Sequence, residues 1–96
     1  MATSITQLDD QERGLTVLRV EGEVTIDDAR FLEQVCKDLK EAEPDKGIVI
    51  DLADIDFLDS DSASVLREMN KHGIGIEGVH FFVQTVIEQV ERVRGQ

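Results

Sequence analysis

The sequence predicts an α/β fold in which a mixed β-sheet carries helices packed mainly on one face, with the element order ββαβαβα. The first observation is the unbroken apolar run Ile48-Val49-Ile50, bounded by Gly47 and a turn. Such a short run is typical of a strand covered on both faces, most often a parallel one. The second is that short connections join strand patterns to amphipathic helical patterns. With 96 residues, the range 1–96 is expected to form a single domain.

Two short strands are predicted before the first helix. Residues 5–8 and 15–20 have strand patterns, and the polar stretch 9–14 between them ends in Gly14. A polar stretch of this kind suits a hairpin longer than the tightest types. The two strands are therefore expected to pair antiparallel.

The first helix is predicted from a start signal, an apolar stripe and a stop signal. Thr25, followed three residues later by Asp28, is a weak variant of a capping box. Pro44 marks the end, because the residue before a proline disfavours the helical conformation. The apolar residues at helical spacing are Ala29, Leu32, Val35, Cys36 and Leu39. A helix of about four turns is expected.

The second half of the chain is predicted to supply two more strands and two more helices. Residues 47–52 form the central strand, and a short acidic connector leads to a helix from about Ser62 to Lys71. Residues 73–76 predict a thin last strand. The stripe of a final helix is formed by Val83, Val86, Ile87, Val90 and Val93.

The most informative polar residues are Asp59, Ser60, Asp61 and Ser62, which open the second predicted helix directly after the buried strand. Helix N-termini carry unpaired N–H groups and partial positive charge, so they accept oxygen ligands and phosphate. Ser60 is therefore either a helix cap or a switch. Ser62 and Ser64 are weaker candidates, since the first helical turn should turn their hydroxyls away from solvent.

The two carboxylates beside Ser60 have a structural and a functional interpretation. Asp59 and Asp61 resemble the paired acids of an acid/base site, but acids in a first turn also stabilise a helix through its dipole. No Gly-rich loop, histidine pair or metal-ligand set accompanies them. We therefore predict no enzymatic activity, no catalytic residues and no cofactor, with the carboxylates as structural groups and a local anionic recognition surface.

The remaining candidate groups have weaker functional interpretations. Cys36 lies on the apolar stripe of the first helix, which favours a buried, unreactive thiol. His72 lies near the end of the second helix and His80 near the start of the last, and neither has a visible catalytic or metal partner. Phe81 and Phe82 diverge by about 100° on a helix, so one ring is expected at a partner surface. The acidic residues predicted as a solvated rim are Glu12, Glu21, Glu23, Asp27 and Asp28.

Composition narrows the range of partners. The formal net charge of −11 and the pI of about 4.4 give a negative field that repels nucleic acid and anionic lipid surfaces. Partners are therefore expected to be basic or neutral proteins. The chain has no apolar stretch of the ~20 residues that a membrane span needs and no signal-peptide pattern, which predicts a cytoplasmic protein without membrane insertion. The oligomeric state is left open.

Residues 47–66 resemble the STAS domain, the module shared by anti-sigma factor antagonists and the cytoplasmic ends of sulfate transporters. The family pattern is a strand ending in Asp-Leu, a connector with two apolar residues, and Asp-Ser-Ser-Gly-Leu-Gly at a helix start. The corresponding residues here are Asp51-Leu52, then Ile55 and Phe57, then Leu58-Asp59-Ser60-Asp61-Ser62-Ala63-Ser64. Two further matches extend the resemblance over nearly the whole chain, Gly22-Glu23-Val24 and Ile76-Glu77-Gly78-Val79.

The resemblance implies a regulatory function. In the antagonists a partner kinase phosphorylates the serine directly after the aspartate, which corresponds to Ser60. The implied function is partner switching in transcription regulation, with an anti-sigma factor or serine protein kinase as partner and a phosphatase as a further candidate. The partner is expected to bind at the helix start formed by Asp59, Ser60, Asp61 and Ser62. Where the family usually has Ser-Gly-Leu-Gly after the phosphorylated serine, this chain has Asp61-Ser62-Ala63-Ser64. This makes the backbone less permissive and places an extra carboxylate beside the Ser60 hydroxyl. The alternative is a constitutive STAS adaptor subunit of a lipid-transport ATPase.

Overall fold

The order of the elements follows the sequence prediction over the residues that can be compared. A computed structural model describes residues 3–78. The elements are β1 (Ser4–Asp10), β2 (Leu15–Val24), α1 (Ile26–Ala42), β3 (Gly47–Leu58), α2 (Ser60–Lys71) and β4 (Gly75–Glu77). The predicted final helix, with His80, Phe81 and Phe82, lies outside the described residues. None of the helices within the described range is long and apolar enough to span a membrane.

The four strands form one mixed sheet in the order β1-β2-β3-β4. The hairpin strands β1 and β2 pair antiparallel, as predicted, whereas β2 with β3 and β3 with β4 pair parallel. Parallel neighbours need a crossover connection, and α1 and α2 supply the two crossovers. Both helices pack against the same core, which confirms a mixed sheet with its helices on one face.

The core lies between this face of the sheet and the two helices. Alternate residues of β2 and β3 point into it, as the period of two along a strand requires. Its largest fully buried apolar side chains are those of Leu18, Val20, Val24, Leu32, Ile50, Leu52 and Leu66. Aliphatic side chains dominate, and Cys36 and Met69 complete the helix side.

The central strand is longer than the sequence predicts. We expected residues 53–58 to be an acidic connector, but β3 runs without interruption to Leu58. The reason is non-local: β2 also extends to Val24, and its last residues pair with the end of β3, with register shifts between Arg19 and Glu21 and between Gly22 and Glu23. These irregularities let Ile55 and Leu58 reach the core, although the sequence does not alternate regularly.

The second helix begins earlier than predicted. It starts at Ser60 instead of about Ser62, and Asp59 is its N-cap. The Asp59 carboxylate accepts a hydrogen bond of 2.8 Å from the backbone N–H of Ser62. Aspartate and serine are almost equally good capping residues, so the local sequence alone does not decide whether Asp59 or Ser60 caps the helix.

Candidate functional site

The ends of β2 and β3 place two helix N-termini at the same edge of the sheet. Val24 and Leu58, the last residues of these parallel strands, are register partners, and each is followed at once by the cap of a helix. We call the set Val24, Thr25, Leu58 and Asp59, with the first turns of α1 and α2, the carboxyl edge. Ligands of open α/β sheets typically bind at the carboxyl ends of the strands.

Ser60 is exposed at the carboxyl edge and does not cap the helix. The N-cap residue Asp59 has extended backbone angles, φ −85 and ψ 169, and Ser60 is the first helical residue. The capping interpretation of Ser60 is therefore wrong, since the Asp59 carboxylate takes that role. The Ser60 hydroxyl remains available at the surface.

The two other serines of this segment point elsewhere. Ser62 is fully buried, and its hydroxyl donates to the carbonyl oxygen of Val24 over 3.3 Å. The Ser64 hydroxyl donates to the carbonyl oxygen of Ser60 over 3.1 Å. Ser62 therefore does not present its hydroxyl to a partner in this conformation; it ties the start of α2 to the end of β2.

Asp61 adds an exposed carboxylate to the first turn of α2. The ion pairs found between residues 3 and 78 involve the carboxylates of Asp9, Asp10, Asp54 and Glu77. Asp59 and Asp61 are not among the carboxylates of these ion pairs. The helix dipole favours negative charge at the start of α2, which makes the end both stable and anionic.

The neighbouring start of α1 is held by a dense set of hydrogen bonds. One carboxylate oxygen of Asp28 accepts from the backbone N–H of Thr25 over 3.0 Å, from the Thr25 hydroxyl over 3.0 Å and from the Thr3 hydroxyl over 2.8 Å. The backbone hydrogen bond of Thr25 is the largest cause that lowers the pKa of Asp28. The predicted Thr25–Asp28 start signal is thereby confirmed, with a structural role.

Phe57 is a further surface residue near Ser60. It is 46% exposed, pairs with Glu23 near the end of the β2–β3 ladder, and precedes Ser60 by three residues. The sequence identified Phe57 only as one of the apolar residues of the STAS pattern. Its exposure could not be foreseen, because it depends on the irregular register between β2 and β3.

The other titratable candidates lie away from the carboxyl edge. Cys36 is buried, as predicted, and burial raises the pKa of its thiol to about 11, which disfavours the reactive thiolate. The Nδ1 atom of His72 lies 2.8 Å from the carbonyl oxygen of Glu68. Within residues 3–78, no His, Cys, Asp or Glu residues cluster as a metal site would require.

A groove of about 590 Å³ opens between the later halves of α1 and α2. Its floor includes Cys36, Met69 and Ile74, and Lys37 and His72 are among its polar walls. These residues follow the helix starts by two turns or more, so the groove is separate from Ser60. Its walls carry both acids and bases, which gives no preference for a ligand charge.

The comparison with protein families agrees with the sequence motif. A model of the STAS domain family matches residues 7–94, nearly the whole chain. A search of curated proteins returned no significant match to the chain. The matched range includes the entire sheet from Gln7 onward, both described helices and the Asp59–Ser62 segment.

Proposed function

The chain belongs to the STAS domain family, a family of regulatory and binding modules, and we propose that it is a non-enzymatic, cytoplasmic module of one domain that resembles an anti-sigma factor antagonist. Its partner is an anti-sigma factor or a serine protein kinase, and phosphorylation of Ser60 switches the interaction. The observation that supports this most is that Ser60 is exposed at the helix start while Asp59 performs the capping.

The proposed binding surface is the start of α2. Asp59, Ser60 and Asp61 supply its outer polar groups, and the buried Ser62 fixes their position through its bond to Val24. A phosphoserine carries a charge of about −1.5 to −2 at neutral pH. Next to the carboxylates of Asp59 and Asp61 this charge makes the helix start more strongly anionic, so repulsion and desolvation oppose an acidic or apolar partner surface. Release of the partner follows.

Mass spectrometry tests the site of modification. The purified serine kinases of the anti-sigma type from the host are incubated one by one with the chain and MgATP. We expect one phosphate on wild type and on Ser64→Ala, and none on Ser60→Ala. Because Ser64 is half-buried and Ser60 exposed, a phosphate that persists in Ser60→Ala contradicts the assignment.

Calorimetry distinguishes a switch from a constitutive adaptor. Binding of the partner is measured for wild type, Ser60→Ala, Ser60→Asp and the phosphorylated chain. We expect Ser60→Ala to bind like wild type, Ser60→Asp to lose about 1–2 kcal/mol, and phosphoserine to lose more. Asp59 and Asp61 already make this surface anionic, which mutes the signal and favours the second candidate, an adaptor subunit of a lipid-transport ATPase. Equal binding by all four proteins supports that adaptor.

A further inference from the structure

We infer that the Phe57 ring is the apolar anchor of the proposed binding surface and enters an apolar pocket, bordered by Lys and Arg side chains, on the partner protein. This inference rests on the proposed function, because it assigns the partner chemistry at the Ser60 end of the molecule. It adds a contact residue and a physical reason for release upon phosphorylation.

The first observation is that the described aromatic rings lie outside the core. Phe31 is 58% exposed and Phe57 is 46% exposed, whereas the buried cluster consists of aliphatic residues with Cys36 and Met69. Burying a phenylalanine ring stabilises a protein, and this fold obtains only part of that gain at both positions. Aromatic rings are also enriched among the residues that dominate interface energy.

A single exposed apolar residue is common on protein surfaces, so position must distinguish Phe57 from the others. Phe57 directly precedes Leu58 of the carboxyl edge, pairs with Glu23 and lies three residues before Ser60. Leu8 is also 46% exposed, but it lies on the edge strand β1, opposite Val17 near the other end of β2. Leu8 therefore matches Phe57 in exposure and differs from it in place.

The charges around Phe57 indicate the border of the pocket. Asp56 and Asp61 are exposed, and neither belongs to an ion pair found among residues 3–78, whereas the nearby Asp54 is paired with Arg19. In the sequence Asp56 and Asp61 flank the segment from Phe57 to Ser60, and both carboxylates are exposed. A partner with basic side chains around an apolar pocket complements this arrangement and is steered to it by the net charge of −11.

Because Phe57 precedes Ser60 by only three residues, we expect a partner pocket that closes over Phe57 to reach Ser60 and to exclude water from it. A neutral hydroxyl is accommodated in such a place by one hydrogen bond, but a phosphate dianion must lose its hydration shell. The loss of this hydration shell costs more free energy than imperfectly placed cations return. The phosphate therefore weakens binding even though the border of the pocket is basic.

Titration calorimetry against the host's purified anti-sigma factors tests the anchor. We expect Phe57→Ala to weaken binding by about tenfold or more and Phe57→Leu by less, as for a central interface residue. Leu8→Ala should stay within about twofold of wild type, since Leu8 lies outside the surface. Thermal melting of each variant verifies the fold, and Phe57→Leu serves if Phe57→Ala does not fold.

The outcomes separate the anchor from the switch. Binding of Phe57→Ala within about twofold of wild type, with phosphorylation still releasing the partner, overturns the anchor alone. Loss of binding in Phe57→Ala, with phosphorylated and unmodified chains binding alike, supports the anchor and overturns the switch. A failure of every tested anti-sigma factor to bind wild type overturns both. Affinity that does not fall with added salt overturns the basic border.

Discussion

The two halves of the central strand β3 have opposite roles. Residues 47–52 pair with β2 in a regular register up to Arg19 and also pair with β4. Residues 53–58 pair with β2 across two register shifts and have no partner in β4. Four of the six residues of the first half are buried, whereas in the second half only Ile55 and Leu58 are.

This difference separates the residues that hold the fold from those that present the site. The first half of β3 pairs regularly with a strand on each side, so it contributes packing to the core and sets the register of the sheet. An irregular half strand places apolar residues into the core at uneven spacing and leaves Asp56 and Phe57 on the surface, which is a common arrangement next to binding sites. The N-cap Asp59 and the first helical residue Ser60 follow directly after the end of this irregular half.

The largest expected effect is on the first half. Ile50 is fully buried in the core, so Ile50→Ala should lower the free energy of unfolding by about 2–5 kcal/mol, through lost burial and a cavity. Asp56→Ala in the second half should change it by less than about 0.5 kcal/mol, since Asp56 is exposed. Urea denaturation measures both variants. A loss below about 1 kcal/mol for Ile50→Ala would mean that the first half is peripheral.

The next effect concerns the joint between the two halves. Gly78 has a φ of +68, and a Cβ there would lie 2.5 Å from Oδ1 of Asp51 and 2.7 Å from the backbone nitrogen of Ala53. Gly14 has nearly the same φ, +67, but a Cβ there meets nothing within 4 Å. Both alanine variants have the strain of positive φ, of order 1–2 kcal/mol, and only Gly78→Ala adds a clash with backbone.

Denaturation of Gly14→Ala and Gly78→Ala therefore isolates the steric part. We expect Gly78→Ala to be the less stable of the two by about 1 kcal/mol or more, on the scale of overpacking. Equal losses would show that β4 and β3 can separate at this point without cost, and that the joint is not tightly packed.

Sequence patterns predicted the first half of β3 and not the second, for a physical reason. Ile48-Val49-Ile50 is a local apolar run, and burial follows from composition alone. Asp54 and Asp56 interrupt the pattern, and the strand continues only because the end of β2 offers backbone partners. Register shifts and the burial of Ile55 depend on residues thirty positions away, which a local pattern does not contain.

As for β3, the sequence predicted only part of the candidate site. The Asp-Ser segment at a helix start was visible in the sequence, and the Ser60 hydroxyl is exposed as the switch requires. The capping residue could not be predicted, because Asp59 and Ser60 have similar capping preference. The burial of Ser62 depends on the Val24 carbonyl oxygen, a contact between elements that only the fold creates.

A smaller effect tests the division of roles within the Asp-Ser pair. Asp59→Ala removes the bond to the Ser62 N–H and should lower stability by about 1 kcal/mol, whereas Asp59→Asn keeps a cap and should lose less. Ser60→Ala should stay within about 0.5 kcal/mol of wild type, as for an exposed residue without a capping role. Thermal denaturation measures the three variants. A larger loss for Ser60→Ala than for Asp59→Ala would reassign the cap.

The smallest expected effect is the pH dependence of the α1 start, which faces the irregular half of β3 across the carboxyl edge. Hydrogen bonds from Thr25, with a contribution from Thr3, lower the pKa of Asp28 in the folded protein. A lowered folded pKa means that the unfolded chain binds the proton more readily. The stabilisation is therefore present above the unfolded pKa and is lost as the pH falls through the folded pKa.

Wild type should therefore lose more stability on acidification below about pH 4 than Asp28→Asn, which has no proton to take up. Asp61→Asn is the matched control, because it removes a carboxylate from the same edge without removing those hydrogen bonds. Urea denaturation at a series of pH values gives the three slopes, and a slope for Asp28→Asn equal to that of wild type would show that the Asp28 hydrogen bonds do not stabilise the edge.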